Sequence, residues 1–466
     1  MPYVFYDIET TGTNSYFDQM LQFAALKTDD DLNVIDSFDT RCRLLPHIIP
    51  SPRALCITQV SPSMLTDTAL PSHYEMITRI RNKLIEWSPA TFIGFNSLNF
   101  DEHFLRQALF QNLYPPYLTN TNGNNRFDAL RLAYAVHAYA PDTIKVPISR
   151  EGRQVFQLAG LAEINDYKQY KAHEAMADVL ATVHLTRLMR TGGPAVWDAM
   201  NRATTKKAVR NYVSKESIFT LTEPHFGRTY SWLVTFCGQN PERDGNLAVF
   251  DLAFDPHDYL SLAVPDLIEL LNANPRPIRS LSANQQPIMM PENVAPTGTR
   301  ALDISHRERR RRRGLIQACP EFLDRVGQAL AHRFEREESS PYPERQIYDG
   351  FSGRSDKERM LDFHRVQWNR RVDLAAQFDD PRLVKFAHRL ISIERPEVLP
   401  TKTTKQFRTW IAKRILCEDE SVPWMTVSKA LRDIDGLLKD AGGTDEALLR
   451  DIMTFVHRVG DSFVQD

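Results

Sequence analysis

The chain has 466 residues, which is too long for one ordinary domain and predicts about three. It is 42% hydrophobic and 25% charged with a formal net charge of −2, which excludes a disordered chain and a uniformly basic surface. Five scattered cysteines without a Cys-x-x-Cys pair argue against zinc or disulfide frameworks, and there is no signal-peptide pattern or long apolar run. We therefore expect a cytoplasmic protein that is neither secreted nor membrane-bound.

The chain opens on a predicted buried strand over residues 3–8, which is apolar and aromatic apart from Asp7. Asp7 and Glu9 are two residues apart, so both side chains leave the same face of that strand. Two neighbouring carboxylates repel each other, and a divalent cation between them removes the repulsion; oxygen ligands suit Mg²⁺ or Mn²⁺ better than zinc. Two solvated acids at a strand end are the alternative interpretation.

Strands over residues 22–27 and 39–44 are predicted to continue an antiparallel meander, and apolar spacing predicts an amphipathic helix over 74–87. A short buried strand over 91–95 then leads to Asp101 and a helix. An acid between a strand end and a helix start stands where α/β sheets commonly build ligand sites. Electrostatic stabilisation of the helix N-terminus is the alternative role for Asp101.

A helix over residues 128–139 is predicted next, with Asp128 as its cap, and a loop over 140–153 follows. A further helix begins around the segment that contains His173 and Asp178. These two residues are five apart, so they converge only if His173 lies at or before the first helical turn. A histidine beside an acid cluster can accept a proton from water, although a lone histidine is more often structural.

Three motifs thus follow one another along the chain: Asp7-x-Glu9, Asn96-x-x-x-Phe-Asp101 and His173-x-x-x-x-Asp178. In this order they resemble the DEDDh (DnaQ-like) 3′→5′ exonuclease superfamily, which has an RNase H-like α/β fold. Residues 171–178 are similar to one branch in particular, the bacterial exonuclease I family, which acts on single-stranded DNA. The similarity continues more diffusely through residues 226–232 and 347–352.

The resemblance implies a site made of four metal-binding acids and a general base: Asp7, Glu9, Asp101, Asp178 and His173. It implies two Mg²⁺ ions, with Mn²⁺ as a substitute, and proton transfer from the attacking water to His173. Glu9 would also contact the terminal 3′-hydroxyl of the substrate. Gln157 stands where relatives commonly have a basic residue that contacts the substrate; its amide still donates to a phosphate but brings no charge.

The resemblance also implies a division into three domains: an exonuclease domain (1–192), a small SH3-like β-barrel domain (193–343) and a C-terminal α-helical domain (344–466). Short predicted strands between residues 218 and 281 and two apolar helical stripes near the end of the sequence agree with it. Residues 307–313 contain six arginines in seven positions. This run is either a contact for DNA or an acidic partner, or a solvated helix end.

The predicted function is a Mg²⁺-dependent exodeoxyribonuclease, a monomer that degrades single-stranded DNA from its 3′ end in repair and recombination. In the family, a basic surface near the arginine run receives the acidic C-terminal tip of single-stranded DNA-binding protein. An RNA exonuclease or a proofreading subunit would not need the roughly 270 residues after the first domain. An inactive nucleic-acid-binding protein would have no physical reason to keep four mutually repelling acids.

Overall fold

The structure is a computed structural model that describes residues 1–167, 174–225, 227–332, 339–439 and 446–464. In these ranges the chain forms two five-stranded sheets, each with its own helices, followed by a region of helices alone. None of the described helices is both long enough and apolar enough to cross a membrane.

The first sheet has the strand order β3-β2-β1-β4-β5. Its strands are β1 (Tyr3–Thr10), β2 (Met20–Thr28), β3 (Val34–Arg41), β4 (Thr91–Gly94) and β5 (Asn125–Asp128). The first three strands form the predicted antiparallel meander, while β4 and β5 run parallel to β1. The mixed sheet confirms the α/β class of the exonuclease domain. The third strand was predicted too late, at 39–44, and β5 was not predicted.

Helices cover both faces of this sheet. The helices of this part of the chain are α1 (Pro52–Thr58), α2 (Pro62–Thr66), α3 (His73–Trp87), α4 (Asp101–Gln111), α5 (Ala129–Tyr139), α6 (Leu158–Ile164) and α7 (Ala175–Gly192), of which α1 and α2 pack with helices from the end of the chain instead. Alternate residues of β1 enter two different cores: Phe5 packs with α5 and α7, and Val4 packs with α3 and α4. Because β1 is buried on both faces, it lies at the centre of the domain and carries its polar side chains at its carboxyl end.

The second sheet is antiparallel throughout, with the order β10-β6-β7-β8-β9. Two helices precede it, α8 (Pro194–Arg202) and α9 (Lys206–Lys215). Its elements are β6 (Phe219–His225), β7 (Arg228–Gln239), β8 (Asn246–Asp251), α10 (Val264–Asn272), β9 (Ile278–Ser282), β10 (Ile288–Pro291), α11 (His306–Gln317) and α12 (Pro320–His332). The predicted strand segments overlap β6 to β9. An SH3-like barrel is consistent with this sheet and stays a prediction.

The last region is helical, as predicted. Its helices are α13 (Arg354–Arg365), α14 (Trp368–Ala375), α15 (Pro381–Glu394), α16 (Thr401–Ile415), α17 (Val427–Lys439) and α18 (Glu446–Val464). The stripes of α17 and α18 pack inward through Ile434 and Ile452, in one core with Leu55 of α1. The side-chain amide of Asn14 donates to the Pro423 carbonyl at 3.0 Å. The helical region is therefore built onto the exonuclease domain; the exact domain boundaries stay predictions.

Candidate active site

Three of the predicted acids meet at the carboxyl end of β1. Asp7, Glu9 and Asp178 each offer a carboxylate oxygen, and these oxygens lie within 4.8 Å of one another. Strand geometry places the first two, and the first turn of α7 supplies the third. The buried alanine Ala175 lies in the core that α7 shares with β1, and its small side chain lets the start of α7 pack closely against the sheet.

Asp101 lies beside this cluster rather than within it. It is the first residue of α4 and only 3% of its surface is exposed. After burial itself, the charge of Asp101 is the largest influence that raises the pKa of the Asp7 carboxyl. The structure therefore brings the four predicted acids to one place. Three of them are close enough to bind one metal ion together, and the charge of Asp101 acts on them from beside the cluster.

The pKa values of the acids show how unfavourable their mutual approach is. Burial and neighbouring carboxylates raise the pKa values of Asp7 and Asp101 well above the usual range. Burial, and then the charge of Asp178, raises the pKa of Glu9 to about 7, although Arg41 opposes the rise. In the described ranges, no lysine or arginine forms an ion pair with Asp7, Glu9 or Asp101. Hard oxygen donors with excess negative charge fit a divalent cation.

Glu102, directly after Asp101, is a buried acid of a different kind. It accepts hydrogen bonds from Tyr6 Oη and Thr119 Oγ1, each at 2.8 Å, and from Arg106 at 3.1 Å. Arg126 forms a second, longer ion pair with the same carboxylate at 3.4 Å. These partners occupy its oxygens, so Glu102 is a structural residue and not a further metal ligand.

Asp128 holds the loop that leads to Asp101. Its fully buried carboxylate accepts from Leu130 N at 2.9 Å, which confirms the predicted helix cap. The same carboxylate accepts from Asn96 N at 3.0 Å and Leu98 N at 3.2 Å. Sequence reasoning assigned only the cap, because the bonds to residues 96 and 98 depend on β4 and β5 lying side by side.

A cleft of about 480 Å³ opens beside Glu9, with the exonuclease domain on one side and residues 422–425 of the helical region on the other. Its lining includes the exposed cation Arg53 and the aromatic rings of Phe100 and Trp424. These three residues were not predicted, because no local sequence pattern connects them. Through Glu9 the acid cluster borders a space that an extended ligand can enter.

Two predicted residues have outcomes that stay open. His173 lies outside the described residues, so its role as general base stays a prediction. Gln157 is exposed at the start of α6, where its side chain caps no backbone group. Its exposure is compatible with a substrate contact, which also stays a prediction.

The arginine run lies on α11, and half of it is used inside the protein. Arg309 is buried and donates to Glu292 at 2.8 Å, Arg311 donates to Asp255 at 2.7 Å, and Arg312 donates to the Leu252 carbonyl at 2.9 Å. A solvated helix end is therefore the wrong description for Arg309 and Arg312, whereas Arg311 is exposed although it forms an ion pair. Arg307 and Arg310 are exposed as well.

Both ends of the chain match known protein families, and a known protein is similar over most of its length. A family model described as Exonuclease matches residues 4–186, and one described as Exonuclease I C-terminal domain matches residues 341–459. Exodeoxyribonuclease I of Haemophilus influenzae is 25% identical over 409 residues, which are 82% of this chain and 83% of that protein.

Solved structures extend the likeness to the fold. Escherichia coli exonuclease I in complex with a dA16 oligonucleotide superposes with a TM-score of 0.85 at 23% identity, over 98% of this chain and 99% of that one. A structure described as SSB/Exonuclease I in complex with inhibitor CFAM has a TM-score of 0.82 at 23% identity, again over 98% and 99% of the two chains. The shared fold therefore includes the antiparallel sheet between the two matched domains.

Proposed function

The chain belongs to the exonuclease I family, and we propose that it is a 3′→5′ exodeoxyribonuclease that degrades single-stranded DNA to 5′-mononucleotides in repair and recombination. The observation that carries this proposal is the acid cluster of Asp7, Glu9 and Asp178, with Asp101 beside it, whose member Glu9 lines a cleft. The names of the relatives, which are exodeoxyribonucleases, support the choice of DNA.

An exonuclease domain of this kind depends on a divalent metal, and we assign that role to two Mg²⁺ ions, with Mn²⁺ as a substitute. Asp7, Glu9, Asp101 and Asp178 would hold them. When bound, the ions supply charge stabilisation at the phosphate and make a bound water more acidic. The chain itself positions the acids, and Asp128 fixes the approach to Asp101.

Two residues are assigned to proton transfer and to recognition of the 3′ end of the strand. We assign the acceptance of the water's proton to His173, whose place in the motif supports the role. Glu9 faces the cleft and, once ionised, has an oxygen that can accept from a terminal 3′-hydroxyl. A contact of this kind favours strand ends over internal positions.

The cleft supports a single strand as substrate. Residues 422–425 close one side of it, so the space beside Glu9 is a groove between two walls and not an open face. Phe100 and Trp424 offer rings on which bases can stack, and the exposed guanidinium of Arg53 suits a phosphate. A flexible single strand can follow such a groove and stack its bases on these rings. We assign a further phosphate contact to Gln157.

We also propose that the enzyme is a cytoplasmic monomer that binds the C-terminal tail of single-stranded DNA-binding protein. Cys42, Cys237, Cys319 and Cys417 are free thiols, which suits a reducing compartment. The exposed Arg307 and Arg310 of α11 give an acidic tail a basic surface, and the SSB/Exonuclease I structure supports this kind of partner.

The test is degradation of single-stranded DNA oligomers labelled at the 3′ or the 5′ end, with Mg²⁺, beside duplex DNA and RNA of the same sequence. We expect 5′-mononucleotides from the 3′ end of single-stranded DNA alone, and no product from Asp178→Asn or with excess chelator. Equal or faster cleavage of RNA would move the substrate to RNA. Tight binding of the strand without any cleavage would contradict the enzyme assignment.

A further inference from the structure

A second cavity, of about 680 Å³, lies in the helical region between α15, α16 and residues 341–344. Trp424 lines both this cavity and the cleft beside Glu9, so the two spaces are neighbours across one side chain. None of the residues assigned to metal binding, proton transfer or phosphate contact lines it. Its wall therefore has a composition that the nuclease reaction does not explain.

The wall carries an excess of buried positive charge. Arg389 donates to Glu344 at 2.7 Å, and Arg414 stands 3.8 Å from the same carboxylate. Glu344 and Arg414 are 3% and 7% exposed at their side chains, so one buried carboxylate serves two guanidinium groups. Asp18, the other acid within electrostatic range of Arg414, accepts hydrogen bonds within its own loop.

Two buried polar atoms on this wall are without hydrogen-bond partners in the described part of the chain. They are Nε of Arg414 and Nδ1 of His388. Lys385 and Lys413 lie exposed at the cavity and form no ion pair with any described residue. The guanidinium N–H of Arg414 is a donor without a partner, and together with the exposed ammonium groups it forms the surroundings that an anion needs.

The same wall offers flat aromatic surfaces. Phe407 and Trp410, one turn apart on α16, stack with their ring centroids 5.5 Å apart and their planes 19° from parallel. Both rings are partly exposed and line the cavity. A ligand that combines an anionic group with a planar ring therefore matches both features, and inorganic phosphate matches only one.

We propose that this cavity binds a nucleotide, with its phosphate at Arg414, Lys385 and Lys413 and its base against Phe407 and Trp410. The choice of a nucleotide rests on the proposed nuclease function, which supplies two sources of this chemistry. One is the mononucleotide that each cleavage releases, and the other is a nucleotide of the bound strand.

The test is calorimetric titration of the full chain with thymidine 5′-monophosphate in excess chelator, so that binding is measured without hydrolysis. Lys413→Glu and Lys385→Glu reverse exposed charges at the cavity and should each raise the Kd about tenfold. Lys405→Glu is the matched control, since Lys405 is exposed on the same helix and does not line the cavity. It should leave the Kd unchanged.

The ligand series defines the site further. Thymidine, which lacks the phosphate, should not bind, and inorganic phosphate should bind at least tenfold more weakly than the nucleotide. Displacement of the nucleotide by a short oligothymidylate assigns the site to the strand, and no displacement assigns it to the released product. Equal Kd values for Lys413→Glu and Lys405→Glu, or equal affinity for inorganic phosphate, would overturn the proposal. Inactivity towards DNA with this binding intact would instead overturn the nuclease assignment alone.

Discussion

Asp101 and Glu102 are neighbours in sequence, lie in the same turn of α4 and are 3% and 1% exposed, yet their surroundings are opposite. Glu102 has two arginines, a tyrosine and a threonine around its carboxylate. Asp101 faces other acids, and no described cation forms an ion pair with it. The cost of burying one acid is offset inside the chain, whereas the cost of burying the other requires a cation from outside.

This contrast separates a functional acid from a structural one without any alignment. A buried carboxylate with arginine partners contributes to the fold, and its loss should reduce stability. A buried carboxylate among other carboxylates opposes the fold, and its loss should reduce activity. Substitutions at the two residues should therefore affect activity and stability in opposite ways.

Replacing Asp101 with Asn should remove nuclease activity by about a thousandfold or more, because the substitution removes charge from the metal site. The metal-free variant should be at least as stable as the parent, since one of the repelling charges is gone. Single-turnover cleavage of a labelled oligomer and urea unfolding in chelator measure the two effects. Clear destabilisation of the metal-free variant would contradict the assignment of Asp101 as an uncompensated acid.

Replacing Glu102 with Gln should have the converse effect. It leaves Arg106 and Arg126 buried without their carboxylate, which should lower the free energy of unfolding by about 3 kcal/mol. Tyr6→Phe is the matched control, because it removes one hydrogen bond to the same carboxylate and should cost about 1 kcal/mol. Urea unfolding measures both. Loss of activity in Glu102→Gln without loss of stability would place Glu102 in the metal site instead.

Metal-free protein should lose stability as the pH rises. The pKa of Glu9 is about 7 in the folded protein, above its ordinary 4.5, so the folded state holds this proton more tightly than the unfolded state. The associated stability is complete below pH 4.5 and is lost as the pH rises through about 7, by about 2 kcal/mol for Glu9 after allowance for solvent screening.

Thermal unfolding in chelator across this pH range measures the loss. Added Mg²⁺ should reduce it, because a bound cation stabilises the ionised carboxylates. In Glu9→Gln the dependence should be shallower. If the stability of the parent protein does not change with pH, other residues of the chain must offset the repulsion among the carboxylates.

Substitutions of Gln157 should have only a small effect on DNA binding, because this side chain is exposed and is not part of either group of buried acids. Gln157→Arg should raise the affinity for single-stranded DNA about threefold and steepen the salt slope of binding by about 0.7. Gln157→Ala, the control, should change the affinity by less than about twofold. Fluorescence anisotropy with a labelled oligomer in chelator measures both. An unchanged salt slope in the arginine variant would remove Gln157 from the substrate path.

The parts of the site that follow from local geometry could be predicted from the sequence. Period-two alternation placed Asp7 and Glu9 on one face of β1, and the switch from a strand to a helix placed Asp101 at the start of α4. The cap at Asp128 follows from local pattern in the same way. Each of these depends on fewer than about ten consecutive residues.

The rest depends on contacts between distant segments. The strand β5 has four residues, three of them polar, and it exists because β4 pairs with it. The strand β3 begins at Val34 and Ile35, which are 45% and 57% exposed, so pairing with β2 sets its position and its own pattern does not. The cleft wall at residues 422–425 contacts Asn14, which lies about 400 positions earlier in the sequence, and no local pattern predicts this contact.

The hydrogen bond from Asn14 to the Pro423 carbonyl joins two segments that are synthesised at different times, so the cleft cannot form until the later segment has been made. The four acids have all left the ribosome soon after residue 178, whereas the opposite wall of the cleft is made only when residues near 423 emerge. At elongation rates of about 5–20 residues per second, this interval is on the order of tens of seconds. A nascent chain therefore carries its acid cluster on an open face before the groove exists, and selectivity for single strands should arise only in the finished chain.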